Sequence, residues 1–209
     1  AGMWRCRQDA ASLTERLQAY MTKASREAKR ATSWLNPNAE YEEALGRFIA
    51  QLLENPERNA FLRDFSTFVE PLIFFGGINS LVQVALKLTV PGVPDTYQAT
   101  ERLTLSLVDP DNRRPVDYEA AARQLEELQG VQLDVQRAGF DVAKLFVTSR
   151  LLQARKDDPA LFEQGSYQPL QVEGEKSEHV VAYARLHEER CCVVVLPRWS
   201  ARLKQGAPE

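Results

Sequence analysis

The sequence predicts an α+β chain, mostly helical and closed by a small C-terminal antiparallel sheet. Three observations carry that expectation. Apolar residues recur at three- and four-residue intervals in successive segments as far as Leu152, the mark of amphipathic helices. Past Gly165, two short β-type runs, Val180 to Leu186 and Cys191 to Leu196, flank the polar His187-Glu188-Glu189-Arg190, which reads as a hairpin connection. The composition is that of a packed protein: 209 residues, 44% apolar and 26% charged, enough chain for a real core.

The elements follow in order. Ser12 and Glu15 have the spacing of a capping box, ahead of a face formed by Leu13, Leu17, Tyr20, Met21, Ala24 and Ala28. Lys23, Arg26, Glu27 and Arg30 fall on another face, which suits solvent. The loop Thr32 to Asn38 ends this helix and caps the next, which runs through Tyr41, Leu45, Phe48, Ile49 and Leu52 to a stop at Asn55-Pro56. Phe61 to Leu72 predicts a third helix, broken by Gly76-Gly77. Asn79 then caps a fourth, which ends before Pro91. Leu103, Leu105 and Leu107 alternate with polar residues in a weakly strand-like way, and Asp109-Pro110-Asp111-Asn112 is a turn cluster. Asp117 caps a helix ended by Gly130, and Asp141 caps another that stops at Asp158-Pro159.

Charge and composition exclude several classes. The formal net charge of -3 gives no electrostatic reason to expect nucleic acid. No apolar run approaches the roughly 20 residues of a membrane-spanning helix, and no signal peptide is visible at Ala1-Gly2-Met3-Trp4. Cys6, Cys191 and Cys192 have no disulfide-framework spacing and suit a reducing, cytoplasmic compartment. Cys191 and Cys192 are expected to be buried packing thiols. His179 and His187 make no metal spacing with them and read as exposed loop or strand-end residues. No metal or other cofactor is expected. Gly-rich phosphate loops and nucleophile signatures are absent from the sequence.

One segment stands apart. Pro91 to Tyr118 packs Pro, Gly, Asp, Tyr, Gln, Glu and paired arginines into a short irregular stretch, the kind of loop on which binding groups concentrate. Within it, Pro91-Gly92-Val93-Pro94-Asp95-Thr96-Tyr97-Gln98-Ala99-Thr100-Glu101 resembles the eighth-strand segment of the α-amylase superfamily, Gly-x-Pro-x-x-Tyr-x-Gly-x-Glu. The continuation Leu105 to Tyr118 narrows the resemblance. With the upstream Lys23-Ala24-Ser25-Arg26-Glu27-Ala28-Lys29 and Thr32-Ser33-Trp34-Leu35-Asn36-Pro37, it is similar to the maltooligosyltrehalose synthase family, over nearly the whole chain.

That resemblance implies a (β/α)8 barrel with a C-terminal β-domain as the parent fold. It implies an enzyme that turns the reducing-end α-1,4 bond of a maltooligosaccharide into an α,α-1,1 bond by intramolecular transglycosylation. The family's catalytic carboxylates lie on earlier barrel strands, and their motifs do not occur in this sequence. The expectation is therefore a segment without independent catalysis. Residues 1–163 would supply the last part of the barrel, and 164–209 the start of the β-domain. Partners implied are the maltooligosaccharide and the rest of the barrel, or a second copy of the chain. A non-catalytic glucan-binding or interaction module is the competing reading.

The carry-over to site residues is one of binding. Asp95, Tyr97, Gln98 and Glu101 match the eighth-strand motif, and barrel strands end at the active site. Asp95 and Glu101 equally suit bracing of the loop. Arg113 and Arg114 suit bracing or the bracketing of a carboxylate, and Trp34 suits a sugar ring or a buried loop anchor. Three departures cluster here. Ala99 stands where the family has glycine, Arg102-Leu103-Thr104 replaces Leu-Trp-Asp, and Thr96 replaces a larger apolar residue.

Overall fold

The computed structural model describes residues 10–55 and 58–205. Cys6 and the helix stop at Pro56 lie outside the described residues. The chain forms two compact units. One comprises residues up to Ile73 with Leu105–Pro115; the other comprises Phe74–Thr104 with the residues from Val116 onward.

In the first unit, helix α1 (Ala10–Ala28) packs on α2 (Ala39–Leu53). The expected capping box is corrected: α1 already includes Ala10, so Ser12 and Glu15 lie inside it. Lys29 ends the helix in the left-handed region (φ 54°). Asn38 caps α2 as expected, its side chain accepting from the Tyr41 amide. Gln18 Nε2 donates to the Gly46 carbonyl at 2.8 Å, tying α1 to α2. Leu13, Ile49, Leu62 and Val69 are buried, each contributing roughly 1.5–3 kcal/mol by leaving water.

Helix α3 (Ala60–Thr89) corrects the expected break, because it runs straight through Gly76-Gly77. The physical reason is packing. A Cβ at Gly77 would fall 2.3 Å from a ring carbon of Phe140, so glycine serves close approach and not a turn. The merger also corrects the membrane reading. By length and composition, α3 is the one helix among the described residues long and apolar enough to cross a bilayer, with mean hydropathy 1.5 over 18 residues.

The second unit continues with α4 (Tyr118–Glu127), α5 (Val135–Asp157) and α6 (Pro159–Glu163). Asp117 and Asp158 cap α4 and α6 through the amides of Ala120 and Leu161. Asp141 does not cap. Helix α5 begins earlier, is interrupted at Gly139 (φ 76°, ψ 161°), and leaves the Asp141 carboxylate to partners in the 91–104 loop. The strand-like reading of Leu103, Leu105 and Leu107 is corrected too. No strand is formed between Val90 and Asp117, since extended backbone without a neighbouring strand makes no ladder.

The sheet is an antiparallel meander of β1 (Ser166–Pro169), β2 (Val180–His187) and β3 (Arg190–Pro197), with β2 in the middle. The two-residue turn Glu188-Glu189 joins β2 to β3. Strand β1 was not expected. Strand β3 is an edge strand covered on one face, so Val194 is buried while Cys191, Val193 and Val195 face out. That corrects the buried-thiol reading: Cys191 is exposed and Cys192 half-buried, its thiol pKa raised chiefly by burial. His179 corrects the other way. It is buried, with Nδ1 3.4 Å from the Arg198 carbonyl, and only His187 sits at a strand end.

The core of this unit is pinned by two polar side chains of β2. Arg185, 1% exposed, donates to the carbonyls of Thr89 (2.9 Å), Phe162 (2.9 Å), Gly165 (2.8 Å) and Ser166 (3.3 Å). A buried guanidinium is tolerated because its donors meet carbonyl oxygens. The Tyr183 hydroxyl lies 2.5 Å from Thr89 Oγ1. Thr89 spends its own proton on the Ala85 carbonyl, so Tyr183 is the donor.

Candidate functional site

The seven sequence-predicted site residues fall on three loops. Asp95, Tyr97, Gln98 and Glu101 share the loop after α3, in the second unit. Asp95, Gln98 and Tyr97 are exposed, Tyr97 by 49%, and Glu101 is half-buried. The loop turns tightly. The Thr100 amide and hydroxyl both donate to the Tyr97 carbonyl (3.1 and 2.6 Å), and Thr104 Oγ1 donates to the Ala99 carbonyl (2.7 Å). Ala99 sits at φ 63°, the left-handed region that glycine would occupy without a Cβ clash.

Two elements hold this loop. Arg102 pairs with Asp141 of α5, Nε to Oδ2 at 2.8 Å with Nη2 on the same oxygen, while the Leu103 amide donates to Oδ1 at 2.8 Å. Lys87, at the end of α3, reaches Thr96 Oγ1 at 3.5 Å. Lys144 of α5 has its pKa lowered by burial first and by the charge of Lys87 second, against the opposing pull of Asp141 and Glu101. The departures from the family pattern therefore carry the loop's own anchoring: Arg102 grips Asp141, Thr96 meets Lys87, and Thr104 closes the turn.

Arg113 and Arg114 lie in the first unit, on a 3-10 turn (Asp111–Arg113) and just after it. Both are exposed, and both turn back on the loop: Arg113 Nε pairs with Asp109 Oδ1 at 2.5 Å, Arg114 Nε with Asp111 Oδ1 at 3.3 Å. Asp111 is the hub. Arg16 of α1 grips it with two donors at 2.7 Å, and the Leu107 amide donates to it at 2.6 Å. Its pKa is lowered, mainly by the Arg16 hydrogen bonds, against the effect of burial. Lys23 Nζ donates to the Asp109 carbonyl at 2.6 Å. Sequence reasoning missed the Arg16–Asp111 pair altogether, whereas Lys23 stood in the family pattern without an assigned contact.

Trp34 is 56% exposed, which removes the buried-anchor reading for it. Arg26 lies over its ring, 4.9 Å from the centroid, while its guanidinium grips Glu42 at 2.7 and 2.6 Å. That hydrogen bond, with a second from Thr32 Oγ1, lowers the Glu42 pKa to about 2. A cavity of about 450 Å³ beside α4 and α5, lined by Leu125, Leu128, Arg150 and Leu152 among others, includes none of the seven residues. Among the described residues, no group of three or more His, Cys, Asp or Glu side chains could hold a metal ion.

The chain is similar to part of much longer proteins. The similarity is to maltooligosyl trehalose synthases, as the motifs imply. A protein of Mycobacterium tuberculosis H37Rv assigned as such a synthase is 36% identical over 93% of this chain and 23% of its own length. The solved maltooligosyltrehalose synthase of Arthrobacter ramosus is 36% identical, with a TM-score of 0.77, over 92% of this chain and 24% of its own. A hypothetical maltooligosyl trehalose synthase of Sulfolobus tokodaii matches at 34% identity and a TM-score of 0.73. The chain spans about a quarter of the length of the relatives it matches. No family model matches it.

Proposed function

We propose that this chain serves as the sugar-binding, non-catalytic segment of a maltooligosyl trehalose synthase. The carrying observation is the 36% identity over 92% of the chain, with the fold kept, to a solved synthase. In this reading residues 1–163 complete a (β/α)8 barrel and 164–209 begin a β-domain. The whole enzyme, in the cytoplasm, isomerises the reducing-end α-1,4 bond of a maltooligosaccharide to α,α-1,1. A carboxylate outside this chain attacks the anomeric carbon. A second protonates the leaving glucose, and that glucose returns through its own anomeric hydroxyl. The segment's part is to hold sugar and keep water from competing. Asp95 and Gln98 supply hydrogen bonds to hydroxyls, Tyr97 and Trp34 supply ring faces, Glu101 supports the turn, and Arg113 and Arg114 brace the neighbouring loop.

The test is segment exchange: the matched quarter of the Arthrobacter ramosus synthase is replaced by this chain, and maltopentaose products are analysed. Trehalose-capped product from the exchanged enzyme, lost on Asp95→Asn with Tyr97→Ala, is expected. Product from this chain alone, or a folded but inactive exchanged enzyme, overturns the reading. The exposure of Trp34 and Tyr97 favours a second reading, a glucan-binding module. Heat on titrating maltooligosaccharide into the chain alone, abolished by Trp34→Ala, would establish that instead.

A further inference from the structure

Helix α3 is apolar on two adjacent stripes, one of them buried and the other leaving Phe61, Phe68 and Leu72 exposed. At about 100° per residue, Leu62, Ser66, Val69 and Ile73 fall on one stripe and Phe61, Phe65, Phe68 and Leu72 on the next. Together they make an apolar arc of about 160°. Leu62 and Val69 are 2% and 1% exposed, and they face the core of their own unit. On the neighbouring stripe Phe61, Phe68 and Leu72 are 46%, 65% and 45% exposed, and the Phe61 and Phe65 rings stack on each other at 5.5 Å. A contiguous apolar seam of this size marks an interaction surface. Its spacing of i, i+4, i+7 and i+11 is that of a helix seated in a groove.

We propose that this stripe is the docking face for the part of a maltooligosyl trehalose synthase that the chain does not span. The inference rests on the functional reading above and adds to it the surface by which the two parts meet. Length is the first argument: the solved relatives keep this fold, yet it makes up only 24% of their chain, so the helix has a large body of polypeptide to pack on. Charge is the second, and it selects protein over lipid. Arg63, Asp64 and Glu70 lie on the third side of the same turns and are exposed, with Pro71 beside them. Lipid on all sides would desolvate those three charges at high cost. A protein groove covers the phenylalanines and leaves the charged side in water.

The experiment uses the segment-exchanged Arthrobacter ramosus synthase and the chain by itself, each with Phe68→Glu and, as a control on the charged side, Thr67→Glu. Phe68 is solvent-exposed in this chain, so Phe68→Glu leaves its Tm and circular dichroism unchanged here. In the exchanged enzyme the same substitution lowers Tm by several degrees, while Thr67→Glu does not. An unaltered Tm with Phe68→Glu, or an exchanged enzyme that does not fold, overturns the proposal. A dimer of the chain alone that Phe68→Glu turns into monomer gives the stripe to a second copy, and binding to phosphatidylcholine vesicles that it abolishes gives it to a membrane; either overturns the proposal. An exchanged enzyme that folds and shows the Tm contrast but makes no product sinks the functional reading and leaves the docking face standing.

Discussion

Two loops that follow one another in sequence are held in opposite ways. Residues 105–115 spend their charges on one another and on Arg16 and Lys23 of α1. Asp111 is almost enclosed by Arg16, Arg114 and the Leu107 amide, with side-chain exposures of 11% for Arg16 and 7% for Asp111. Residues 91–104 are held by their far end, where Arg102 and the Leu103 amide meet Asp141, and they leave Asp95, Tyr97 and Gln98 to solvent. The difference separates a loop built to stay from a loop built to present. A carboxylate ringed by donors has no bonds left for a ligand, whereas an exposed one has them all.

Substitutions can break that contrast, the largest effect first. Asp111→Ala removes the carboxylate that the part-buried Arg16 guanidinium grips with two donors and should cost about 3 kcal/mol in urea unfolding. An effect under about 1 kcal/mol would mean that the loop is held otherwise. That contact and the Arg26–Glu42 pair both set a pH dependence. The folded pKa values of Asp111 and Glu42 lie below their ordinary values, that of Glu42 at about 2. Their stabilisation is therefore complete above the ordinary carboxylate range and is lost as pH falls, for Glu42 between 4.5 and about 2. Glu42→Gln should flatten the acid limb of a stability–pH curve. Asp141→Ala removes a half-exposed ion pair and one amide acceptor, about 1.5 kcal/mol, and should raise hydrogen exchange at Leu103. Ala99→Gly relieves the left-handed alanine but adds unfolded-state entropy, for a net gain of about 0.5 kcal/mol seen as a small rise in Tm. Asp95→Asn should change stability by less than about 0.5 kcal/mol while reducing product from the exchanged enzyme.

What the sequence made legible was local. Asn38 and Asp117 cap helices through amides three residues on, so the signal and its effect lie in one window, whereas Asp158, read with Pro159 only as a helix stop, also caps α6. The need for glycine-like backbone at Ala99 was legible for the same reason, through the family pattern. Long-range partners were not. Gly76-Gly77 reads as a breaker until Phe140 is known to lie against Gly77. Arg185 sits in a strand pattern where a charged residue suggests solvent, yet its acceptors come from Thr89, Phe162, Gly165 and Ser166. Cys191 faces outward because side chains alternate along β3 and that strand is covered on one face only. The Arg16–Asp111 pair joins residues 95 apart, and no spacing rule reaches that far.

The contact between Gly77 and Phe140 makes two distant positions behave as a single unit of heredity. Alanine at 77 would drive its methyl into the ring, and leucine at 140 alone would leave a void, so each change is harmful by itself. Made together, Gly77→Ala and Phe140→Leu exchange volume across the same gap and should largely cancel in a double-mutant cycle. Drift at this spot is confined to paired steps, and a library randomised at 77 alone should return glycine.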